Sequence, residues 1–213
     1  MLALRYMDHR AAKAFILAKL KAELPPTRTY HSLEHTLDVY ASVIDIGERE
    51  GVVGLDMILL TTAALFHDAG FIHVDLEHEA ESCRITREHL PQWGFSADQV
   101  ARICDMIMAT RIPQAPHDKL SRILCDADLD YLGRGDFFSI GHTLFEELRA
   151  YKVLTTEHEW NVIQDRFLSR HHYHTGTNRA LREPRKQQHL AEVRRMLAAE
   201  GGTGSHERRS PVG

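Results

Sequence analysis

Three short segments of this 213-residue chain concentrate side chains that can bind a metal or move a proton. They are His31 and His35 in YHSLEH, the adjacent His67 and Asp68 in ALFHDAGF, and Asp126, Asp128 and Asp130 in CDADLDYLG. Imidazole nitrogen and carboxylate oxygen together suit first-row divalent ions, and a bound cation keeps a buried carboxylate ionised. His31 and His35 are four residues apart, so on a helix they share a face and either could reach a common site. His67 and Asp68 close the most apolar stretch of the chain, MILLTTAALF, where an unpaired buried polar group costs about 2–7 kcal/mol. A metal ion would satisfy both; a helix-terminal pair bonded to backbone is the bland alternative. In the third segment Asp128 shares a helical face with Leu124 and Leu132 and is expected to point into the core. Asp126 better suits a capping role.

Further polar clusters admit two readings. HVDLEHEAES carries His73, His78 and Glu79, with Glu79, Ser82 and Cys83 on one helical face. Glu77 and Glu79 also fit a solvent-facing helix start, which the helix dipole favours. Arg111, Lys119 and Arg122 are candidate phosphate donors or plain surface cations. The HHYH run at 171–174 reads as a ligand cluster or as the polar end of a helix with Tyr173 packed. Among 15 histidines most must be bland, and His9, His89, His189 and His206 read as solvated surface residues. Cys83, Cys104 and Cys125 are an odd number without metal-type spacing and read as small buried apolar residues.

The elements that must position these groups are helices. Apolar residues recur at three- and four-residue spacing and alternating β-branched runs are absent, so the fold class is all-α. Helices are predicted over 7–24, 32–51, 56–69, 77–90, 96–110, 118–132, 136–151, 156–172 and 184–200. Pro25-Pro26 stops the first, Ser32 caps the second, and Pro184 opens the last. The third, apolar almost all round, is the expected centre of the bundle, with Gly70 as a left-handed C-cap. One helical domain over 1–200 is expected, followed by a disordered tail over 201–213. With 26 Lys+Arg against 30 Asp+Glu, the net charge of −4 supplies no field for long nucleic acid. Charges at Arg5, Asp8, His9, Arg10, Lys13 and Lys19 break any early apolar span, which reads as a cytoplasmic protein without membrane attachment.

The ordered series His35, His67-Asp68, Asp128, carried by YHSLEH, ALFHDAGF and CDADLDYLG over 30–133, closely resembles the HD superfamily of metal-dependent phosphohydrolases. The resemblance implies an HD-domain-like helical bundle with His35, His67, Asp68 and Asp128 as metal ligands, Asp126 being left a supporting role. It implies hydrolysis of a nucleotide or another small phosphate ester, as a phosphomonoesterase or phosphodiesterase, with Mn, Fe, Co, Ni, Zn or Mg as cofactor. If Asp68 bridges two ions, His73, His78 and Glu79 are candidates for the second, and Glu79 is preferred as ligand or water-orienting base. The YHxxxH form is similar to the cyclic-nucleotide phosphodiesterase branch, which implies His31 as general acid; an imidazole pKa of about 6.5 suits that task. Two other functions fit the same scaffold: a di-iron oxygenase, which would draw on His73, His78 and His117, and a non-catalytic nucleotide-sensing module. Retention of all four ligand types argues against the latter.

Overall fold

A computed structural model describes residues 7–203, in which ten α-helices follow one another. They are α1 (His9–Glu23), α2 (Leu33–Arg49), α3 (Gly54–Phe66), α4 (His78–His89), α5 (Ala97–Ala109), α6 (Lys119–Asp128), α7 (Phe137–Ala150), α8 (Glu157–Arg170), α9 (Gly176–Leu181) and α10 (Glu183–Thr203). Among the described residues there is no strand, and the fold is all-α as expected. α10 continues past the expected stop at Glu200 to Thr203, and the rest of the expected tail, with His206, lies outside the described residues.

Leu59 to Phe66 on α3 are all buried, because a helix that is apolar on every side must be packed on every side. Around it α1 presents Ala12, Ile16 and Leu20, α2 presents Val39, Val43 and Ile46, and α5 and α6 present Ile103, Ile107, Ile123 and Leu124. These are single stripes at helical spacing. The hydroxyls of Thr61 and Thr62 donate to the carbonyls of Met57 and Ile58 at 2.7 Å each, so neither is orphaned inside α3. The 19-residue stretch Gly54–Ile72 is long and apolar enough to cross a membrane by length and composition, yet 72% of it is buried inside the protein. Ser32, Ser96, Asp118 and Thr156 cap α2, α5, α6 and α8, and the last three form reciprocal capping boxes.

A second apolar cluster joins Tyr30, Leu129, Tyr131 and Leu132 to Phe137 of α7, Leu168 of α8, and Leu190 and Val193 of α10. The polar residues singled out above fall at the seam between the two clusters: Asp128 sits between Ala127 of the first and Leu129 of the second.

Four local expectations change. Gly70 does not adopt a left-handed conformation; it lies in a 3-10 turn over Ala69–Ile72. The helix expected over 118–132 ends at Asp128 and tightens into a 3-10 turn over Asp130–Gly133, because Tyr173 Oη donates to the carbonyl of Leu129 at 3.2 Å while Arg182 Nε donates to Asp130 Oδ1 at 2.7 Å. α8 stops at Arg170, so residues 171–174 are extended rather than helical, and the short α9 follows where none was expected. His189 is buried, donating from Nδ1 to the Leu132 carbonyl at 2.8 Å and stacking on Phe137, while His9 and His89 are half-buried. Cys83, Cys104 and Cys125 are buried as free thiols.

Candidate metal centre

One turn into α2, His35 faces the C-terminal end of α3, where the chain delivers His67 and then Asp68, and the C-terminal end of α6, which delivers Asp128. One ligand atom from each of His35, His67 and Asp128 lies within 4.8 Å of the others. The two imidazole Nε2 atoms are 3.4 Å apart, and Asp128 Oδ1 is 3.2 Å from that of His35 and 3.5 Å from that of His67. His67 Nδ1 donates to the Ala64 carbonyl at 2.8 Å, which fixes the ring so that Nε2 faces its neighbours. Asp68 Oδ2 is 3.2 Å from His67 Nε2 and 3.4 Å from His35 Nε2, yet this buried oxygen has no hydrogen-bond partner. Two imidazole nitrogens and an Asp128 oxygen converging on one point, with a buried Asp68 oxygen that lacks a donor beside both imidazoles, fit a divalent cation.

Without a cation, protons must balance the carboxylates. Burial alone would depress the His35 imidazole, but its contacts with Asp128 and Asp68 outweigh burial and push it up to about 9. His67 is raised well above its ordinary value against the same opposition, chiefly by the charge of Asp68. Burial opposes ionisation of Asp68 and Asp128, but the neighbouring histidines hold both carboxyls well below the usual carboxylate range.

Asp68 also looks the other way. Its Oδ1 is 3.3 Å from His78 Nε2, which is 3.6 Å from Glu79 Oε1 at the start of α4. Gly70 makes that approach: a Cβ at this position would lie 2.0 Å from the His78 carbonyl oxygen, so any other residue would push α4 away. Glu79 is buried, whereas Glu77 is exposed and pairs with Arg111 at 2.8 Å, so the two acids divide between the two readings of this helix start. His73 does not join the centre; its Nδ1 pairs with Glu81 at 2.5 Å on the surface. Arg111 is likewise held at the surface, the amine of Lys119 donates to the Glu50 carbonyl, and His117 is exposed.

His31 stands beside this centre on a partner that sequence reasoning missed. Its Nδ1 donates to Glu147 Oε1 at 2.6 Å, and the backbone N–H groups of Tyr30 and His31 donate to Oε2 at 2.9 and 3.0 Å. Arg28 Nη1 adds a fourth donor at 3.0 Å. Burial alone would raise Glu147, but these donors, with His31 first among them, lower it to about 2. Asp126 is turned away from the cluster and accepts from the backbone N–H of His174 at 2.7 Å and of Thr175 at 2.8 Å. It ties the chain after α8 to α6.

These residues surround a known family pattern: residues 32–130 match the family described as HD domain. The segment that carries the centre is an HD domain. HD domains bind divalent metals, and the cluster of His35, His67 and Asp128 could hold one here. A crystal structure of a predicted HD superfamily hydrolase from an uncultured Thermotogales bacterium shares the fold, with 23% identity, 87% of this chain and 91% of that chain covered, and a TM-score of 0.58. No curated protein matches. The HD site opens into a cavity of about 210 Å³ that His31, Asp68, His78, Glu79 and Asp128 share with Tyr131, Phe137, Trp160 and Phe167. Its aromatic wall comes from residues beyond 130, outside the matched region, which is why the motifs did not point to it. The signal for Glu147 was slender: an acidic residue within the otherwise buried face of an amphipathic α7.

Proposed function

We propose that the chain is a metal-dependent phosphohydrolase acting on a nucleotide or another small phosphate ester, with His35, His67, Asp68 and Asp128 as ligands to a divalent cation. The observation that carries this reading is Asp68: one oxygen, buried and unpartnered, faces the two imidazoles, and the other faces His78. Were a second cation bound as well, Asp68, His78 and Glu79 would be the residues to hold it. When bound, a divalent cation supplies Lewis-acid charge to phosphoryl oxygens and acidifies water.

The chain's own residues supply the proton transfers. Attack by water forms one P–O bond while the ester P–O bond breaks. His31, on the same cavity as the centre, gives a proton to the departing oxygen. For that step His31 carries a proton on each ring nitrogen: the Nδ1 proton stays hydrogen-bonded to Glu147 Oε1, which orients the ring, and the proton on the other nitrogen is the one given up. Glu79 orients the water or takes its proton. Tyr131, Phe137, Trp160 and Phe167 receive the apolar body of the ester, such as a nucleobase, and exclude solvent from it. An oxygenase would need further histidines beside the centre, and of the three considered only His78 is there; His73 is engaged by Glu81.

The test is a turnover panel of purified, metal-analysed protein against phosphomonoesters, cyclic nucleotides and nucleoside triphosphates, with Mn²⁺, Co²⁺, Ni²⁺, Mg²⁺ or Zn²⁺ added. Hydrolysis that disappears in His67→Ala and Asp68→Ala together with the metal supports the reading. Metal-loaded protein that hydrolyses nothing in the panel overturns it.

A further inference from the structure

A second cavity, of about 580 Å³, lies against the metal-centre cavity and shares Ile112, Ile163 and Phe167 with it. Its other walls are the segment 113–114, the C-terminal half of α8, and the extended residues 171–174. We propose that it is an anion subsite holding a phosphoryl group of the substrate other than the one cleaved, so that the natural substrate is a nucleotide or metabolite carrying at least two phosphoryl groups. The proposal rests on the phosphohydrolase reading for the identity of the ligand as substrate.

His171 supplies the first observation. It lines this cavity, is 9% exposed, and its Nε2 is buried without a hydrogen-bond partner. Lys186 Nζ, itself wholly buried, donates to the His171 carbonyl at 2.5 Å and lies 3.4 Å from His171 Nδ1. An amine beside Nδ1 makes that nitrogen the acceptor, which leaves the ring proton on Nε2. Burial, together with the charges of Lys186, His174 and His172, lowers the imidazole to about 3, so the ring is neutral at pH 7. The result is an N–H donor with nothing to donate to, a group that native proteins rarely leave unmatched. An anionic oxygen is its natural complement.

The second observation is a pair of cations without a partner. Arg166 and Arg170 line the cavity, are exposed, and make no ion pair or hydrogen bond among the described residues. Exposed His172 and half-buried His174 complete its basic wall, and Arg122 and Arg179 lie close enough to depress His174, after burial. Of the nearby acids, Asp165 is paired with Arg194 and Glu183 with Lys186, while Asp126 and Glu50 are held by backbone and hydroxyl donors and, with Asp128, keep their charge. In a chain of net charge −4, this local excess of forked donors and imidazoles matches a phosphoryl group. Continuity with the metal centre through Ile112, Ile163 and Phe167 places that group on the same molecule as the one cleaved.

Binding and turnover are measured separately, so that each reading can fail alone. Calorimetry of the full chain in EDTA compares inorganic tripolyphosphate with orthophosphate for wild type and for Arg166→Gln/Arg170→Gln. Wild type is expected to bind tripolyphosphate at least tenfold tighter than orthophosphate, and the double variant to lose most of that preference. With Mn²⁺ restored, the same variant should hydrolyse p-nitrophenyl phosphate, which has one phosphoryl group, within twofold of wild type. His171→Phe should also weaken tripolyphosphate binding severalfold; the exposed arginine pair decides the matter if that buried variant does not fold. Equal affinities for the two anions in wild type overturn the subsite, as does an equal loss in Arg10→Gln/Arg195→Gln, two exposed arginines outside this cavity. If p-nitrophenyl phosphate and the wider panel are untouched but tripolyphosphate binding depends on Arg166 and Arg170, the hydrolase reading fails and the anion site stands.

Discussion

Glu147→Gln removes one negative charge from a place where four donors converge on it. The carboxylate is 1% exposed and accepts from Arg28, His31 and the backbone N–H groups of Tyr30 and His31 at 2.6–3.0 Å. The amide keeps the shape but loses the charge and turns an N–H₂ toward donors. Arg28, with 6% of its side chain exposed, would then keep only Asp75, which is 66% exposed, and its stacking on Phe71 and Tyr151. Breaking one partner of a buried charged pair costs about 3–5 kcal/mol. The titration of Glu147 itself gives the same order, though there the cause is chiefly His31: lowering from 4.5 to about 2, at about 1.4 kcal/mol per pH step, is about 3 kcal/mol. Because the folded-state value is depressed, this stability is fully present above about pH 4.5 and is lost as the pH falls toward 2. At about 2–4 °C per kcal/mol for a chain of this size, the variant should melt roughly 6–20 °C lower at pH 7. Thermal and urea unfolding of both proteins from pH 7 to pH 3 should show the gap narrowing by about half over the acid range. A variant that melts within about 2 °C of wild type, or a gap that does not change with pH, would refute the reasoning.

Under the proposed function, Glu147→Gln should retain its metal while turnover falls on the order of 10–100-fold, part of the about 10²–10⁴ that positioned proton transfer contributes. His31→Ala should do the same more severely, and loss of metal in metal analysis of that variant would make His31 a ligand instead. Cation binding must displace protons from His35 and His67, both raised in the metal-free protein, so calorimetry in buffers of different ionisation enthalpy should record proton release at pH 7, and affinity should rise toward pH 9. Gly70→Ala should cost roughly 1–3 kcal/mol in urea unfolding through the contact with the His78 carbonyl and should weaken any second cation bound at His78 and Glu79 before the first.

Much of the fold was legible because helices advertise themselves locally. A polar cap at Ser32, Ser96, Asp118 or Thr156 and an apolar stripe three or four residues apart lie within one segment, and the starts of α2, α5, α6 and α8 follow from them. The all-round apolar character of α3 announced its burial, and the side chains of His35, His67, Asp68 and Asp128 meet where ordered motifs in the sequence suggested a meeting.

What the sequence could not decide depends on partners far along the chain. Glu147 lies 116 residues from His31, and no local pattern says that an acidic residue of α7 will bury itself against the start of α2. The end of α6 at Asp128 is set by Tyr173, whose hydroxyl takes the Leu129 carbonyl that a further helical turn would have used, and by Arg182, which holds the Asp130 side chain. Gly70 was read through its backbone freedom, yet its lack of a Cβ serves close packing against His78 instead. The HHYH run at 171–174 starts as the C-cap of α8 and buries Tyr173, as the helix-end reading expected, but continues extended because Asp126 draws its backbone toward α6, and it forms no metal cluster among the described residues. Periodicity and capping act over a turn or two and fix which groups exist and which faces bury them; the centre of His35, His67, Asp68 and Asp128 acquires its supports only when chain segments 30 to 120 residues apart close on one another, and that closure is a property of the tertiary structure.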